Sequence, residues 1–219
     1  MDLKVKRKLE MDNQKKKRKE EVVLAAIVVF KERGIDNSKM TDIADRAEIG
    51  VATVYRYFNT KTEIVIAATA IMWEEKISIL YGKFGESIFM ELNGADRVRE
   101  ILNLFINVYQ KYPEFLSFLE HFDNYIVKEA IPLENLVSYE KIIIDTKSAI
   151  FDAIDQGKKD GSIKSNIDND AFYITITHSL MSLCQKLILR GTILKSDKDI
   201  GGEIQLKLLI DMAMLYLVS

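Results

Sequence analysis

The sequence predicts an all-α chain, on three observations. Only two prolines and ten glycines punctuate 219 residues, too few for a strand-rich fold with frequent turns. Between those breaks, apolar residues recur at helical spacing. Charged residues make up 29% of the chain and apolar ones 48%, so long amphipathic helices can bury a substantial core. The expected architecture is an N-terminal three-helix domain with a helix-turn-helix, followed by a larger C-terminal helical domain.

Residues 1–16 are highly polar and read as a flexible basic arm. Val23, Ala26, Ile27 and Phe30 then mark a helix that stops at Gly34, behind the basic Lys31 and Arg33. A second, two-turn pattern spans residues 39–46, with Ser38 available as N-cap and Met40, Ile43, Ala44 and Ala47 on one face. Four residues later a third pattern runs from Val51 to Phe58. Thr60 and Glu63 form a T-x-x-E capping box for a fourth helix reaching about Tyr81. Beyond it, Pro113 and Pro132 suit first helical turns, which gives segments of about 95–111, 113–127, 133–157, 168–190 and 203–218. Tyr173 to Thr177 alternates like a strand. Phe172, Ile176, Leu180, Leu183 and Leu187 carry a longer helical period through it, and the longer pattern wins. The last segment is apolar nearly all round, which calls for cover on more than one side.

Charge is divided unevenly. Residues 1–61 hold 15 Lys/Arg against 10 Asp/Glu, and the rest hold 16 against 23, so the basic front end points to phosphate or an acidic surface. The run from Lys15 to Lys19 before an apolar stretch imitates a signal peptide. Glu20 and Glu21 interrupt the junction and no small-residue cleavage site follows. No run of eighteen apolar residues occurs. With a single cysteine, Cys184, no intrachain disulfide is possible, and a reduced, cytoplasmic setting is expected. One cysteine and two histidines, His121 and His178, give a closed zinc site little to work with. No Glu-x-x-His pair, H-E-x-x-H, G-x-S-x-G, Walker A or G-x-G-x-x-G is present, so no enzyme activity, cofactor or metal is expected.

Residues 40–58 follow helix-turn-helix grammar: two short helices and a tight connection inside the basic part of the chain. In such a unit the first helix crosses the phosphate backbone and the second enters the major groove. Ile43, Ala44, Ile49, Val54 and Phe58 form the inner face. Arg56 can donate to guanine or phosphate and Thr53 can hydrogen-bond either, while Val51 and Ala52 offer contact to thymine methyls. The hydroxyls of Tyr55 and Tyr57 can donate to phosphate. Lys39 and Thr41, at the start of the first short helix, and Lys61, at the start of the fourth, complete the DNA-facing set.

At these residues the sequence resembles the TetR family of bacterial transcriptional regulators. The resemblance is carried by Ala25-Ala26 with Phe30, Gly34, Met40-Thr41-Asp42-Ile43-Ala44, Ala47, Ile49, Thr53 to Phe58 and Lys61, and it runs from Lys19 to Ala68. It implies that Thr41 and the helix from Val51 to Phe58 face DNA and that Lys61 anchors the backbone. Two positions depart from the family pattern. Glu48 stands where the turn commonly has glycine, and Gly50 where a serine commonly precedes the recognition helix. Farther on, Gly157 to Ile163 followed by Asp168 resembles the connection before the family's last two helices.

The resemblance implies a domain plan of 17–62 for DNA binding and 63–219 for effector binding and dimerisation. It also implies a repressor released by a small, largely apolar effector and bound to a palindromic operator as a homodimer, through helices of about 168–190 and 203–218. Trp73, Phe105, Tyr109, Phe118, Phe122, Tyr125, Tyr139 and Phe172 could line an apolar pocket. The alternative is a ligand-binding or interaction protein of the same fold without specific DNA recognition. Whether the basic arm adds a phosphate contact is open at this point.

Overall fold

The computed structural model describes residues 3–82, 87–191, 193 and 195–218, and no strand occurs among them. In chain order the helices are α1 (Leu3–Arg33), α2 (Met40–Arg46), α3 (Val51–Tyr57), α4 (Lys61–Tyr81), α5 (Ser87–Glu91), α6 (Gly94–Lys111), α7 (Pro113–Lys128), α8 (Leu133–Asp160), α9 (Asn169–Arg190), α10 (Lys195–Lys198) and α11 (Gly202–Leu217). The chain divides into two compact units. One comprises Met1–Met72 with His121–Tyr139, the other Trp73–Glu120 with Glu140–Ser219.

In the first unit, α1 departs from the expected flexible arm: the helix begins at Leu3 and runs unbroken through the basic segment. Physically, the stretch contains no proline or glycine and is rich in Lys, Arg, Leu, Gln and Glu, all good helix formers, with Lys6 and Glu10 placed one turn apart. Burial starts only at Val22 and Val23 and continues through Ala26, Val29 and Phe30. The helix ends where Gly34, at φ +80°, turns left-handed and its N–H returns to the Phe30 carbonyl. Arg33 to Asp42 (2.7 Å) and Arg46 to Glu32 then tie α1 to α2.

The cap of α2 differs from the expected one. Lys39 occupies the N-cap position, and Asp42 reaches back to accept its N–H at 2.8 Å. Ser38 is buried instead, and its hydroxyl donates to the Gly34 carbonyl at 2.6 Å, closing the α1–α2 loop. At α4, Thr60 Oγ1 accepts the Glu63 N–H at 3.2 Å, while Glu63 accepts the Asn59 N–H at 3.0 Å, one residue earlier than a regular capping box.

In the second unit, α11 packs on α6 and α9. The start of α6 crosses the end of α8 so closely that a Cβ on Gly94 would lie 2.0 Å from the Gly157 nitrogen. Asp160 accepts the Gly94 N–H at 2.8 Å, and Asn93 caps Asp96. The ambiguous Tyr173 to Thr177 stretch lies inside α9, where the Thr177 hydroxyl donates to the Tyr173 carbonyl at 2.7 Å. Cys184 is buried as expected for a small hydrophobe, and burial pushes its thiol up to about 12. α11 buries Leu206, Ile210, Ala213, Met214 and Leu217. On the other side Ile204, Leu208, Met212, Leu215 and Tyr216 are all exposed.

Candidate nucleic-acid interface

α2 and α3 are held by the inner face the spacing predicts: Ile43, Ala44, Val54 and Phe58 are buried and Ile49 is half-buried. The connection turns at Glu48, whose φ is +54°. A left-handed backbone there is what the glycine-type turn requires, and a side chain adopts it at a cost of about 1 kcal/mol. The Ile49 N–H donates to the Ala44 carbonyl at 3.0 Å and closes the turn. Gly50 then precedes α3 without a side-chain cap, so the first turn of this helix relies on backbone bonds such as Thr53 N–H to the Gly50 carbonyl, 2.8 Å.

What α3 presents outward is the mixed surface read from the sequence. Val51, Ala52, Tyr55 and Arg56 are exposed, as are Lys39 and Thr41 on and beside α2. Thr53 and Tyr57, one turn apart, are half-buried and face α1: both line a concavity of about 350 Å³ with Arg18, Glu21, Val22, Ala47, Glu48, Ile49 and Arg56. The Arg56 guanidinium lies 5.2 Å from the centre of the Tyr57 ring, which holds the cation beside the phenol rather than letting it range freely. From α1, Lys19 sits 4.7 Å above the Phe58 ring. α1 is thus a wall of the site. The sequence left open whether the basic arm meets DNA, and the structure brings Arg18 of that segment beside α3.

Lys61 is placed differently from its companions. Its ammonium donates to the carbonyls of Ile35 (3.0 Å), Asp36 (3.3 Å) and Ser38 (3.2 Å), and lies 5.5 Å from the centre of the Tyr125 ring. An ammonium has three protons, and all three have acceptors. In this geometry Lys61 fastens the start of α4 to the α1–α2 loop. Thr62 and the Tyr125 hydroxyl share a hydrogen bond at 2.9 Å, and Lys128 pairs with Asp36 at 3.1 Å, so the end of α7 joins the same knot. Burial holds the Tyr125 hydroxyl above its ordinary pKa of 10.0 and outweighs the opposing bond from Thr62.

The aromatic residues proposed for a pocket are distributed over both units. Phe122, Tyr125 and Tyr139 belong to the first unit, where the rings of Phe122 and Tyr139 meet edge-to-face at 4.9 Å. Trp73, Phe105, Tyr109, Phe118 and Phe172 belong to the second. There Tyr109 packs against Gly202 and Phe172 stacks on Tyr216, so both face α11, while Trp73 meets Phe115 at 5.1 Å. His121 and His178 are not buried, and no cluster of metal-ligating side chains occurs among the described residues.

Residues 22–68, which contain this whole construction, match the family described as bacterial regulatory proteins, tetR family. The chain carries a tetR-family domain. The nucleoid occlusion factor SlmA of Mannheimia succiniciproducens is 27% identical over 106 residues, and that match spans about half of each protein, 48% of this chain and 47% of the relative. Solved structures share the chain's fold over nearly its full length. A transcriptional regulator from Saccharomonospora viridis in complex with choline has a TM-score of 0.71 at 14% identity, covering 93% of this chain and 99% of its own. FadR from Bacillus subtilis in complex with stearoyl-CoA has a TM-score of 0.64 at 15% identity, covering 90% and 97%. At such identities the likeness is one of fold. The chain thus combines an all-α fold shared with these structures and a segment, residues 22–68, that matches the tetR-family helix-turn-helix. No described helix is long and apolar enough to cross a membrane.

Proposed function

We propose that the protein is a cytoplasmic repressor that binds a palindromic operator as a homodimer and is released by a small, largely apolar molecule. The observation that carries this reading is the outer surface of α3. Val51, Ala52, Tyr55 and Arg56 stand exposed on a short helix whose opposite side is anchored by Val54 and Phe58, which is the arrangement a major-groove reader needs. Residues 17–62 are the DNA-binding segment and 63–219 the effector and dimerisation segment. Lys39, Thr41, Thr53 and Tyr57 flank the reader. Lys61 supports it from behind, its ammonium fastening the start of α4 to the α1–α2 loop.

The dimer reading is supported by the exposed row Ile204, Leu208, Met212 and Leu215 on α11, with Ile174 and Leu189 exposed on α9. An apolar face of that kind on two neighbouring helices is suited to a second copy. Two recognition helices related by a two-fold axis reach half-sites about 34–36 Å apart, or a related spacing. In this reading the effector binds within residues 63–219, and Trp73, Phe105 and Phe118 are its candidate apolar contacts; Tyr109 and Phe172 are already packed against α11. α4 starts three residues after Phe58 and continues into the second unit, so a ligand that favours one position of α4 changes the spacing of the recognition helices. Operator and effector affinities then oppose each other by the same factor in both directions.

The experiment is a binding comparison with Thr53→Ala/Arg56→Ala. The expected result is a loss of operator affinity of at least about ten-fold for each base contact removed, with binding to unrelated duplex changed far less. Equal affinity for operator in the variant and the parent removes α3 as the reader and favours the alternative, a ligand-binding protein of this fold without specific recognition.

A further inference from the structure

We propose that the first half of α1 is a second DNA-contacting element, a rigid helix that tracks the phosphate backbone beside the recognition helix, with Lys8, Lys15 and Lys17 as its phosphate donors. The inference rests on the reading of α3 as the major-groove helix. Residues 5–21 are exposed throughout, so α1 continues about 25 Å beyond the buried part of its domain. Within residues 3–19 there are nine Lys/Arg and two Asp/Glu. A cationic helix held in one direction presents its charges as a fixed row, whereas a disordered arm would have to be ordered on binding.

Position decides what that row meets. A groove of about 610 Å³ is lined by Met11, Gln14, Lys15, Lys17 and Arg18 of α1 together with Tyr57 of α3. The smaller concavity beside it shares Arg18, Glu21 and Tyr57 and extends to Thr53 and Arg56. The surface that carries the base-reading residues therefore runs without a break onto the basic extension, and Lys8 continues the row two turns before Lys15. Arg18 is paired with Glu21 at 3.0 Å, whereas Lys8, Lys15 and Lys17 have no ionic partner among the described residues. An acidic membrane surface is the other anionic occupant a basic helix can take, but it requires an apolar face. Across residues 3–21 the apolar residues are Leu3, Val5, Leu9 and Met11, of which only Val5 and Leu9 lie one turn apart, too short a stripe to insert into a bilayer surface. Phosphate on DNA already docked at α3 fits both the charge and the place.

The test compares full-length protein with Lys8→Gln/Lys15→Gln/Lys17→Gln, measuring affinity for a selected operator and for a scrambled duplex across a series of salt concentrations. Glutamine keeps the helix propensity, and circular dichroism checks that helicity is retained. Removing one phosphate-neutralising cation lowers the salt slope by about 0.9, so three per protomer in a dimer lower it by roughly 5. Affinity for both duplexes should fall by the same factor, about ten-fold or more at near-physiological salt, leaving the operator preference intact. A variant slope within about one unit of the parent's overturns the proposal. So does an unchanged slope accompanied by abolished binding to phosphatidylserine vesicles, which would assign the helix to a membrane. Absence of operator preference in the parent protein defeats the α3 reading instead, and the slope on either duplex still decides the role of α1.

Discussion

The Lys61 ammonium and the Glu48 backbone are the two residue-scale features on which the recognition unit depends. Lys61 is half-buried with three carbonyl acceptors, and such charge-assisted bonds contribute about 1.5–3 kcal/mol when a partner is removed. Lys61→Met is expected to lower the stability of the free protein by that order in urea unfolding. A lysine serving only as a solvated phosphate ligand would leave unfolding unchanged and alter DNA affinity alone. Glu48 sits at φ +54°, so Glu48→Gly is expected to raise stability by about 0.5–1 kcal/mol. A drop in the unfolding midpoint would show that the Glu48 side chain contributes more than its backbone costs. The glycine-type turn is expected from the resemblance, since the family pattern commonly has glycine where this chain has Glu48. The inward course of Lys61 is not, because it depends on where the loop from Ile35 to Ser38 puts its carbonyls, and no pattern of residue types encodes that.

Among the elements, those with several turns of period are legible: α4, α6, α7, α8, α9 and α11 all lie close to the segments their apolar spacing predicts. α5 and α10, of five and four residues, are too short to show a period. The first half of α1 escapes periodicity for a different reason. Its residues favour helix, but residues 5–21 are all exposed, and a stretch with no buried face carries little periodic signal. At the α6–α8 crossing, Asp160 is held below its ordinary pKa of 3.8 by the Ser162 hydroxyl first, then by the N–H groups of Gly94 and Ser162. A carboxyl lowered on folding adds stability above its unfolded pKa and loses it as pH falls through the folded value. Asp160→Asn should therefore flatten the acid side of the stability–pH curve, below about pH 4, and leave its slope near neutrality unchanged. An acid limb identical in variant and parent would show that this cap does not contribute to acid unfolding.

For the whole molecule, the proposed dimer rests on the exposed side of α11. Leu208 is 61% and Leu215 73% exposed, a heptad apart on one face. Leu208→Glu/Leu215→Glu is expected to give a folded monomer by analytical ultracentrifugation, with normal helicity and with affinity for a palindromic operator reduced at least about a hundred-fold. A dimer that survives the double substitution places the interface elsewhere. The proposed effector contacts are the least legible part of the molecule. Aromatic side chains at helical spacing mark burial, but which of them face a neighbouring helix, as Tyr109 and Phe172 do, is settled only by tertiary packing.

The central claim is sequence-specific recognition by two copies of α3, and selection of bound sequences from a random duplex pool at near-physiological salt tests it most directly. The expected result is recovery of one palindrome with half-sites a helical turn or a related spacing apart, bound with a steep dependence on salt. Recovery of salt-sensitive binders that share no sequence would contradict it, and would leave the protein holding DNA by charge alone.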